Sequence, residues 1–426
     1  MRPSSTRPFA FLVLFALAGI ALAQPTPEPP PTAAELFELT LDEQGLEAAL
    51  QALSAAIADS TEPHAIDAYE LGLGLPARLV VAHRREEALE LIKILEPLFG
   101  DMPRYWQELG LAHLRCGHTD PARRALARAA DGAGTRPDLT WMLEHLDDLA
   151  DLARRQAAAE DSLVPGESTG LQGPYLGQRP PGRIPEPFAP GILSTTAHEY
   201  HVSFAPDGRE IVFSRGGVGS LVSRWTTDGW TVPEVVHLID ADHLTEEANF
   251  TPDGQAILFC GRAEIRRPRM LYRAERVTGG WGAPTRLFPG MYPTASLDGT
   301  LYYTTEGEGR DHGVIVRRAR TGDGYGEPVV VPGEGINTEF ADAHPWIAPL
   351  GDLLLFDTYR DPGMGLHVSF RGADGAWCPA ISLQDAIGVP PVGQPALSHD
   401  GKYLFFSLAG DVYWVDAGFL EELRPD

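Results

Sequence analysis

Cationic side chains are scarce in this chain of 426 residues, which carries 34 Lys and Arg against 59 Asp and Glu and a formal net charge of −25 at pH 7. A strongly acidic protein repels phosphate backbones and anionic lipid headgroups. The charge balance therefore argues against nucleic acid and anionic membrane as partners. It carries no information about the fold.

Cysteine is scarce as well, with three residues at Cys116, Cys260 and Cys378. Their number is odd, and their spacing matches neither a disulfide framework nor a metal-cluster motif. Free Cys packs in proteins as a small apolar side chain. We therefore predict three buried or half-buried free thiols.

Long apolar runs are absent after the first 23 residues. Arg2 and Arg7 precede an apolar run from Phe9 to Ile20, and Ala21-Leu22-Ala23 provides a cleavage site before Gln24. This order is typical of a secretory signal peptide over residues 1–23, and the run is too short for a membrane anchor. We expect an exported mature chain that begins at Gln24 and has no membrane span.

What the sequence does contain is a pattern that occurs five times in its second half. Each copy reads as a strand, a tight turn with a glycine and a second strand rich in β-forming residues. The turn glycines lie 46, 45, 52 and 50 residues apart, at Gly208, Gly254, Gly299, Gly351 and Gly401. A third alternating run and then an aromatic residue with a nearby proline complete most copies. Four strands at this period indicate a β-propeller blade.

The first copy, His201–Ser214, contains Phe204-Ala205-Pro206-Asp207-Gly208. It resembles the PD40, or WD40-like, repeat of the TolB-related propellers, and the resemblance covers about the last 230 residues. The resemblance implies an all-β propeller. It also implies a periplasmic location, with secretion as the alternative, and a scaffold that binds other proteins at the cell envelope.

Five blades are the predicted number, and six, as in TolB, are the alternative. The fifth copy ends after its third strand, at Asp416. Upstream, Ile184–Phe188 repeats the pattern of Tyr325–Val329, so we expect this segment to complete the last blade and close the ring. Residues 184–416 then hold five blades of about 46 residues each.

The part before the propeller is predicted to be helical over residues 33–160, because its apolar residues recur at spacings of three and four. A set of large, small and aromatic positions resembles about two tetratricopeptide repeats: Trp106, Leu109, Gly110, Ala122, Leu126 and Ala129. The resemblance implies a small helical domain with a concave surface for a peptide or protein. The alternative is a helical spacer without a ligand.

Segments of biased composition separate these parts. Residues 24–32 form a Pro-rich tether, residues 161–183 form a Gly- and Pro-rich linker, and residues 417–426 form a C-terminal tail. The predicted fold class is therefore a small α-helical domain of the tetratricopeptide type followed by an all-β propeller.

Aligning the five copies sorts the innermost strand of each blade into two faces. One face is apolar and should pack between blades. The other face should point to the central channel and should carry five equivalent residues at one level: His201, Glu247, Tyr292, His344 and Gln394. One explanation of these polar residues is that they only contact the water in the channel. The alternative hypothesis is that they form a ring that binds a ligand.

A metal site is a further hypothesis for three residues of this ring. His201, Glu247 and His344 come from three blades, and two imidazoles with one carboxylate suit a divalent transition metal. No other cofactor is expected.

The predicted function is non-catalytic binding of a protein or another ligand, and no catalytic residue is assigned. The alternative is a hydrolase of glycans or peptides that uses carboxylates at the propeller axis.

Overall fold

The computed structural model describes residues 33–59, 75–132, 136–239, 244–262, 269–306, 313–322, 324–360, 363–390 and 393–425. The predicted signal peptide and the Pro-rich tether lie outside these residues. The described chain forms an N-terminal helical region followed by an all-β propeller of five blades, which confirms the predicted order of a helical part and a propeller. No described helix has the length and apolar character needed to cross a membrane.

The helical region consists of consecutive short helices. They are α1 (Ala33–Gln44), α2 (Leu46–Asp59), α3 (Leu75–Val81), α4 (Arg85–Ile94), α5 (Glu96–Phe99), α6 (Pro103–Arg115), α7 (Thr119–Gly132), α8 (Pro137–Glu144) and α9 (Leu146–Glu160). Helices α6 and α7 approach closely at Gly110, where an added Cβ would lie 2.7 Å from Cγ of Leu126. A glycine is needed here, because any side chain would push the two helices apart.

The propeller blades are antiparallel sheets whose first strand is innermost. Blade 1 contains β2 (Glu199–Phe204), β3 (Glu210–Arg215), β4 (Gly219–Thr226), β5 (Gly229–Trp230) and β6 (Glu234–Val235). Blade 2 contains β7 (Leu244–Phe250), β8 (Ala256–Arg262), β9 (Met270–Val277), β10 (Gly280–Trp281) and β11 (Thr285–Pro289).

Blade 3 contains β12 (Met291–Ala295), β13 (Leu301–Glu306), β14 (Gly313–Arg318) and β17 (Val329–Val330), with a small hairpin of β15 (Arg320–Thr321) and β16 (Gly324–Tyr325). Blade 4 contains β18 (Asp342–Ile347), β19 (Leu353–Arg360), β20 (Gly363–Phe370) and β21 (Ile381–Ser382). Blade 5 contains β22 (Gly393–Leu397), β23 (Tyr403–Leu408), β24 (Asp411–Asp416) and β1 (Glu186–Pro187). Two short helices, α10 (Gln384–Ile387) and α11 (Phe419–Glu422), flank blade 5 in sequence.

The predicted turn after each innermost strand is present in every blade. The five turn glycines have φ between +67° and +81°, a conformation that favours glycine. In blade 3, the carboxylate of Asp298 accepts hydrogen bonds from the Ser296 hydroxyl at 2.6 Å and from the backbone N–H of Thr300 at 2.9 Å. The Ser296 hydroxyl lowers the pKa of Asp298 by favouring its charged form.

The ring is closed by the strand that precedes blade 1, as predicted. β1 pairs with β24 in the register Glu186 to Trp414, and the backbone N–H of Phe188 donates to the Val412 carbonyl at 2.8 Å. The Phe188 ring is fully buried, with its centroid 5.0 Å from that of Phe405 and 4.9 Å from that of Trp414. The edge of the last blade is therefore paired, and five blades complete the circle.

The predicted linker, residues 161–183, packs against the propeller. The backbone N–H of Thr169 donates to the Trp230 carbonyl at 2.7 Å, and the Trp230 indole N–H donates to the Gly173 carbonyl at 2.7 Å. Further along, the Tyr175 hydroxyl donates to Asp400 at 2.7 Å. The segment thus connects blade 1 to blade 5 before the closing strand begins.

The helical region packs on the propeller end where the innermost strands begin, which we call the upper face. The buried Gln156 amide of α9 donates to the Asp411 carboxylate at 2.7 Å. The Glu160 carboxylate accepts from the Thr196 backbone N–H at 2.6 Å and from the Arg85 guanidinium at 2.8 Å. These polar contacts, one buried and two half-buried, hold helices and propeller in one arrangement.

All three cysteines are free thiols, as predicted. Cys260 is buried in blade 2, and Cys116 and Cys378 are half-buried. Burial raises the pKa of the Cys116 thiol to about 12.

Candidate functional site

The predicted channel residues share one backbone conformation. All five have φ between +51° and +57°, in the left-handed region that side-chain-bearing residues rarely adopt: His201, Glu247, Tyr292, His344 and Gln394. The pairing register between the first and second strands shifts at this position in every blade. Each innermost strand therefore carries a β-bulge near its start, and the bulge redirects the ring side chain.

The bulges were not anticipated from the sequence, although a signal was present. Pro293, Pro345 and Pro395 directly follow the ring residue in three of the five blades. Proline has no N–H for the strand ladder and occurs inside sheets mainly at edges and bulges. A proline in an innermost strand is therefore a readable mark of the bulge.

The structure brings four of the five ring residues together around Tyr292. Its hydroxyl accepts from the Gln394 amide at 2.8 Å, and its ring centroid lies 3.6 Å from that of His344 and 6.0 Å from that of His201. Blade 3, which carries Tyr292, is not adjacent to blades 1 and 5. The tyrosine side chain therefore extends across the propeller axis.

Three of the five ring residues are buried, whereas His344 and Gln394 are half-buried. His201 is 5 % exposed, Glu247 is 0 % exposed and Tyr292 is 6 % exposed. One level below, the Ser203 hydroxyl accepts from the Phe250 backbone N–H of the next blade at 3.1 Å, and so links the two innermost strands.

The three predicted metal ligands are not brought around one point. Glu247 accepts from the Arg269 guanidinium at 3.1 Å and from the Tyr292 backbone N–H at 2.8 Å. Nε2 of His201 lies 3.2 Å from the Ala248 carbonyl, and Nδ1 of His344 binds elsewhere. Both oxygens of Glu247 and one ring nitrogen of each histidine are thus engaged by different neighbours.

A different group of potential ligands lies in the helical region. Among the described residues, the ligand atoms of Glu86, Cys116 and His118 lie within 4.8 Å of one another, whereas those of the axial trio do not. The raised pKa of the Cys116 thiol opposes the thiolate that a metal would need.

Burial dominates the electrostatics of the ring. It lowers the pKa of His201 to about 4, against the opposing effect of the Ala248 carbonyl. It also raises the pKa of Glu247, and the Arg269 guanidinium opposes that rise. Both shifts favour the neutral form, as desolvation does for any ionisable group.

Two residues of the site were missed by the sequence reasoning. Arg269, just before β9, pairs with Glu247 as described above. Asp357, on β19, is fully buried and accepts both from Nδ1 of His344 at 2.5 Å and from the Gln394 backbone N–H at 2.8 Å. Asp357 fixes the His344 ring and connects blade 4 to blade 5.

The fold and the ring define a class of protein: a five-bladed β-propeller with a polar axial ring and an N-terminal helical region on its upper face. No protein-family model matches the chain, and no curated protein matches it. Solved structures do match in part.

One similar structure is TolB from Acinetobacter baumannii, with 15% identity, a TM-score of 0.36 and coverage of 66% of this chain and 71% of TolB. A thermostable family-43 glycoside hydrolase shows 14% identity and a TM-score of 0.37, over 56% of this chain and 90% of the hydrolase. A prolyl endopeptidase shows 17% identity and a TM-score of 0.31, over 49% of this chain and only 30% of the endopeptidase. Likenesses at this level carry no argument about function.

Proposed function

We propose that this protein is an exported, non-catalytic scaffold of the cell envelope that binds a protein partner on the upper face of its propeller. The observation that supports this most directly is the packing of the helical region on that face. Buried polar contacts, such as the one between Gln156 and Asp411, fix the helices on the end of the propeller at which the innermost strands begin. A helical surface held in fixed geometry on that face suits recognition of a partner.

The state of the axial carboxylates supports binding over hydrolysis. A glycosidase needs one carboxylic acid and one carboxylate free to act on opposite sides of the scissile bond. Here Glu247 is paired with Arg269, and Asp357 is paired with His344. Both groups are committed to internal hydrogen bonds.

The helical region contributes the second half of the proposed binding surface. Its α6 and α7 pack with small and large residues facing each other, and Ala122, Leu126 and Ala129 are all fully buried. This packing supports a tetratricopeptide-like helical hairpin. The free concave side of such hairpins binds peptides or protein segments.

Site-specific photo-crosslinking tests the location of the partner surface. Phe340 is 41% exposed and lies two residues before β18 begins on the upper face, whereas Leu350 is 80% exposed in the β18–β19 turn at the opposite end. A photoreactive phenylalanine analogue is incorporated at one of these two positions in the full chain. The variant is expressed in the cells in which the protein occurs naturally. We expect a discrete crosslinked protein with the Phe340 probe and none with the Leu350 probe. Equal crosslinking at both positions would refute the proposal.

Export is tested by intact-mass measurement of the protein recovered from the periplasmic fraction. The expected mass corresponds to a chain that begins at Gln24, since the predicted cleavage site stands directly before it. A chain that retains residues 1–23 would contradict the proposed export.

An assay with chromogenic glycosides and peptides tests the hydrolase alternative. Turnover by the purified chain that Asp357→Asn abolishes would contradict the scaffold function and support hydrolysis.

A further inference from the structure

A cysteine, a histidine and a glutamate meet at one edge of the helical region. Cys116 directly follows α6, His118 lies in the turn before α7, and Glu86 lies in the first turn of α4. In the part of the chain that the structure describes, these three alone bring metal-binding atoms within 4.8 Å of one another. They take no part in the axial ring or in the contacts between helices and propeller described above.

The backbone fixes two of the three positions. Gly117, which separates Cys116 from His118, has a φ of +76°, in the left-handed region that favours glycine at the end of a helix. The His118 backbone N–H donates to the His113 carbonyl of α6 at 2.8 Å, and the His118 carbonyl accepts from the Ala122 backbone N–H of α7 at 3.1 Å. The turn that carries the thiol and the imidazole is therefore tied to both helices, and a metal site requires such rigid support.

The third residue reaches this turn from the neighbouring helical hairpin. Helix α4 packs against α6, and the Tyr105 hydroxyl of α6 donates to the Ile92 carbonyl of α4 at 3.1 Å in the buried interface. This packing brings Oε1 of Glu86 to 3.5 Å from Nε2 of His118. Two ligand atoms of one tetrahedral zinc ion, with bonds of about 2.0–2.2 Å, lie roughly 3.4 Å apart. Glu86 and His118 are thus spaced as two such ligands are.

Small side-chain rotations bring the thiol into the same set. A zinc–sulfur bond of about 2.3 Å places sulfur roughly 3.5 Å from the other ligand atoms of a tetrahedral site. The side chains of His118 and Glu86 are 41% and 64% exposed, so packing does not hold either of them in place. Cys116 is half-buried and supplies the fixed side of the site.

The types of ligand select among metal ions. Ca²⁺ and Mg²⁺ take oxygen ligands, whereas thiolate and imidazole favour Zn²⁺ and other late first-row metals. Cysteine, histidine and glutamate are all usual zinc ligands, and a zinc ion with three protein ligands completes its tetrahedron with water. The spacing of the cysteines along the sequence does not show this site, because Glu86 comes from a different hairpin.

Nearby cations are engaged by other carboxylates, which weakens their repulsion of a bound ion. The Arg85 guanidinium binds Glu160 at 2.8 Å, and the Lys93 ammonium binds Glu90 at 2.7 Å. The Glu86 carboxylate, within the described ranges, forms an ion pair only with the histidine of the group. It is therefore the carboxylate that remains for a metal ion.

The protonated state of the thiol lowers the affinity of such a site without excluding it. Burial raises the pKa of Cys116, and the Glu86 carboxylate adds to this effect. A divalent cation changes the charge around the thiol, because it neutralises the carboxylate and displaces the thiol proton on coordination.

We propose that Glu86, Cys116 and His118 bind a zinc ion, with water as the fourth ligand. One carboxylate oxygen, the thiolate and the imidazole Nε2 are the protein ligands. The ion joins the first turn of α4 to the turn between α6 and α7, and so holds two neighbouring helical hairpins together. This inference does not depend on the proposed function, because the site lies within the helical region.

Titration of Zn²⁺ and Co²⁺ into the full mature chain, prepared without a histidine tag and kept reduced, tests the site. Competition with a chromogenic chelator measures the zinc affinity. Co²⁺ reports its ligands, because a thiolate ligand adds a charge-transfer band in the near ultraviolet and four-coordination gives intense visible bands. We expect one equivalent of Co²⁺ with both features, and we expect Zn²⁺ but not Ca²⁺ to displace it.

Matched variants assign the ligands. Cys116→Ser should abolish the charge-transfer band, whereas Cys378→Ser, at the other half-buried thiol, should keep it. His118→Ala and Glu86→Gln should each weaken zinc binding by about tenfold or more, since loss of an outer-shell partner already costs that much. Glu87→Gln, in the same turn of α4 as Glu86, should bind zinc as the wild type does.

Thermal melts separate the loss of a ligand from the loss of the fold. Without metal, the three ligand variants should melt within a few degrees of the wild type, because they alter exposed or half-buried side chains. Saturating zinc should raise the Tm of the wild type and of both controls, since a metal that binds only the folded chain stabilises it. Cobalt binding without the charge-transfer band, a band that survives in Cys116→Ser, or equal zinc affinity in Glu86→Gln and Glu87→Gln overturns the proposal.

Discussion

Removal of the Phe188 side chain is the sharpest test of how this propeller is closed. The ring is 0% exposed and packs against Phe405 and Trp414 of blade 5, and against Phe204 of blade 1 with centroids 6.3 Å apart. One aromatic side chain therefore joins the closing strand to both ends of the ring. Truncation of a fully buried Phe to Ala costs about 3–5 kcal/mol, from lost transfer free energy and the cavity that remains.

For a domain of this size, a loss of 1 kcal/mol lowers Tm by roughly 2–4 °C, so Phe188→Ala should lower the propeller Tm by about 6–20 °C. Thermal melts followed by tryptophan fluorescence measure this, since Trp414 lies beside the cavity. Ile184→Ala is the control, because Ile184 lies four residues earlier and is 78% exposed. It should change the free energy of unfolding by about 0.5 kcal/mol or less. Equal losses for both variants would show that the strand does not hold the ring closed.

Three further predictions concern the helices, the interface and the ring. Gly110→Ala should destabilise the chain by about 1–3 kcal/mol, because the added Cβ clashes with the facing helix. Gly132→Ala is the control and should not destabilise it, because its Cβ would make only ordinary contacts. The free energy of unfolding in urea measures both effects. Burial and a neighbouring carboxylate raise the pKa of Asp411, so stability should fall as pH rises from about 4 through its folded pKa. Asp411→Asn should remove this decrease in stability, whereas the control Asp385→Asn, at an exposed position, should not. The midpoint of urea denaturation, measured between pH 4 and 8, tests both variants. Burial lowers the pKa of His201 to about 4, so its imidazole should stay neutral in NMR titrations down to that pH. Because the unfolded chain takes up this proton below about pH 6.5, the free energy of unfolding should decrease as pH falls from there. A titration midpoint near 6.5 for the His201 ring would contradict its burial.

Much of the propeller could be predicted because its signals are local and repeated. A tight turn requires a residue that accepts positive φ, and Gly208 and its four equivalents meet that requirement at a regular period. Closure could be predicted because the fifth copy lacks a strand that Ile184–Phe188 supplies. The equivalence of the ring positions could be predicted because the copies align, although the β-bulge at each ring residue interrupts the strand alternation.

The properties of the ring could not be predicted in the same way. The repeat told which positions are equivalent, but it did not tell that the Tyr292 side chain reaches across the axis to His201 and Gln394. That outcome depends on the width left by five strands and on the volume of the side chains that meet there. The metal hypothesis for His201, Glu247 and His344 relied on equivalent positions alone, and neighbours such as Arg269 engage those ligand atoms first.

The sequence by itself determined the repeat, its turns, the number of blades and the residues of the ring, because each of these follows from short-range stereochemistry repeated along the chain. Only the tertiary structure decided that Gln156 docks on Asp411, and that Asp357 and His344 form a buried pair. These contacts join residues from separate helices and strands, and burial makes them strong by excluding water. Burial arises only when the whole chain has folded, so no local pattern could specify them.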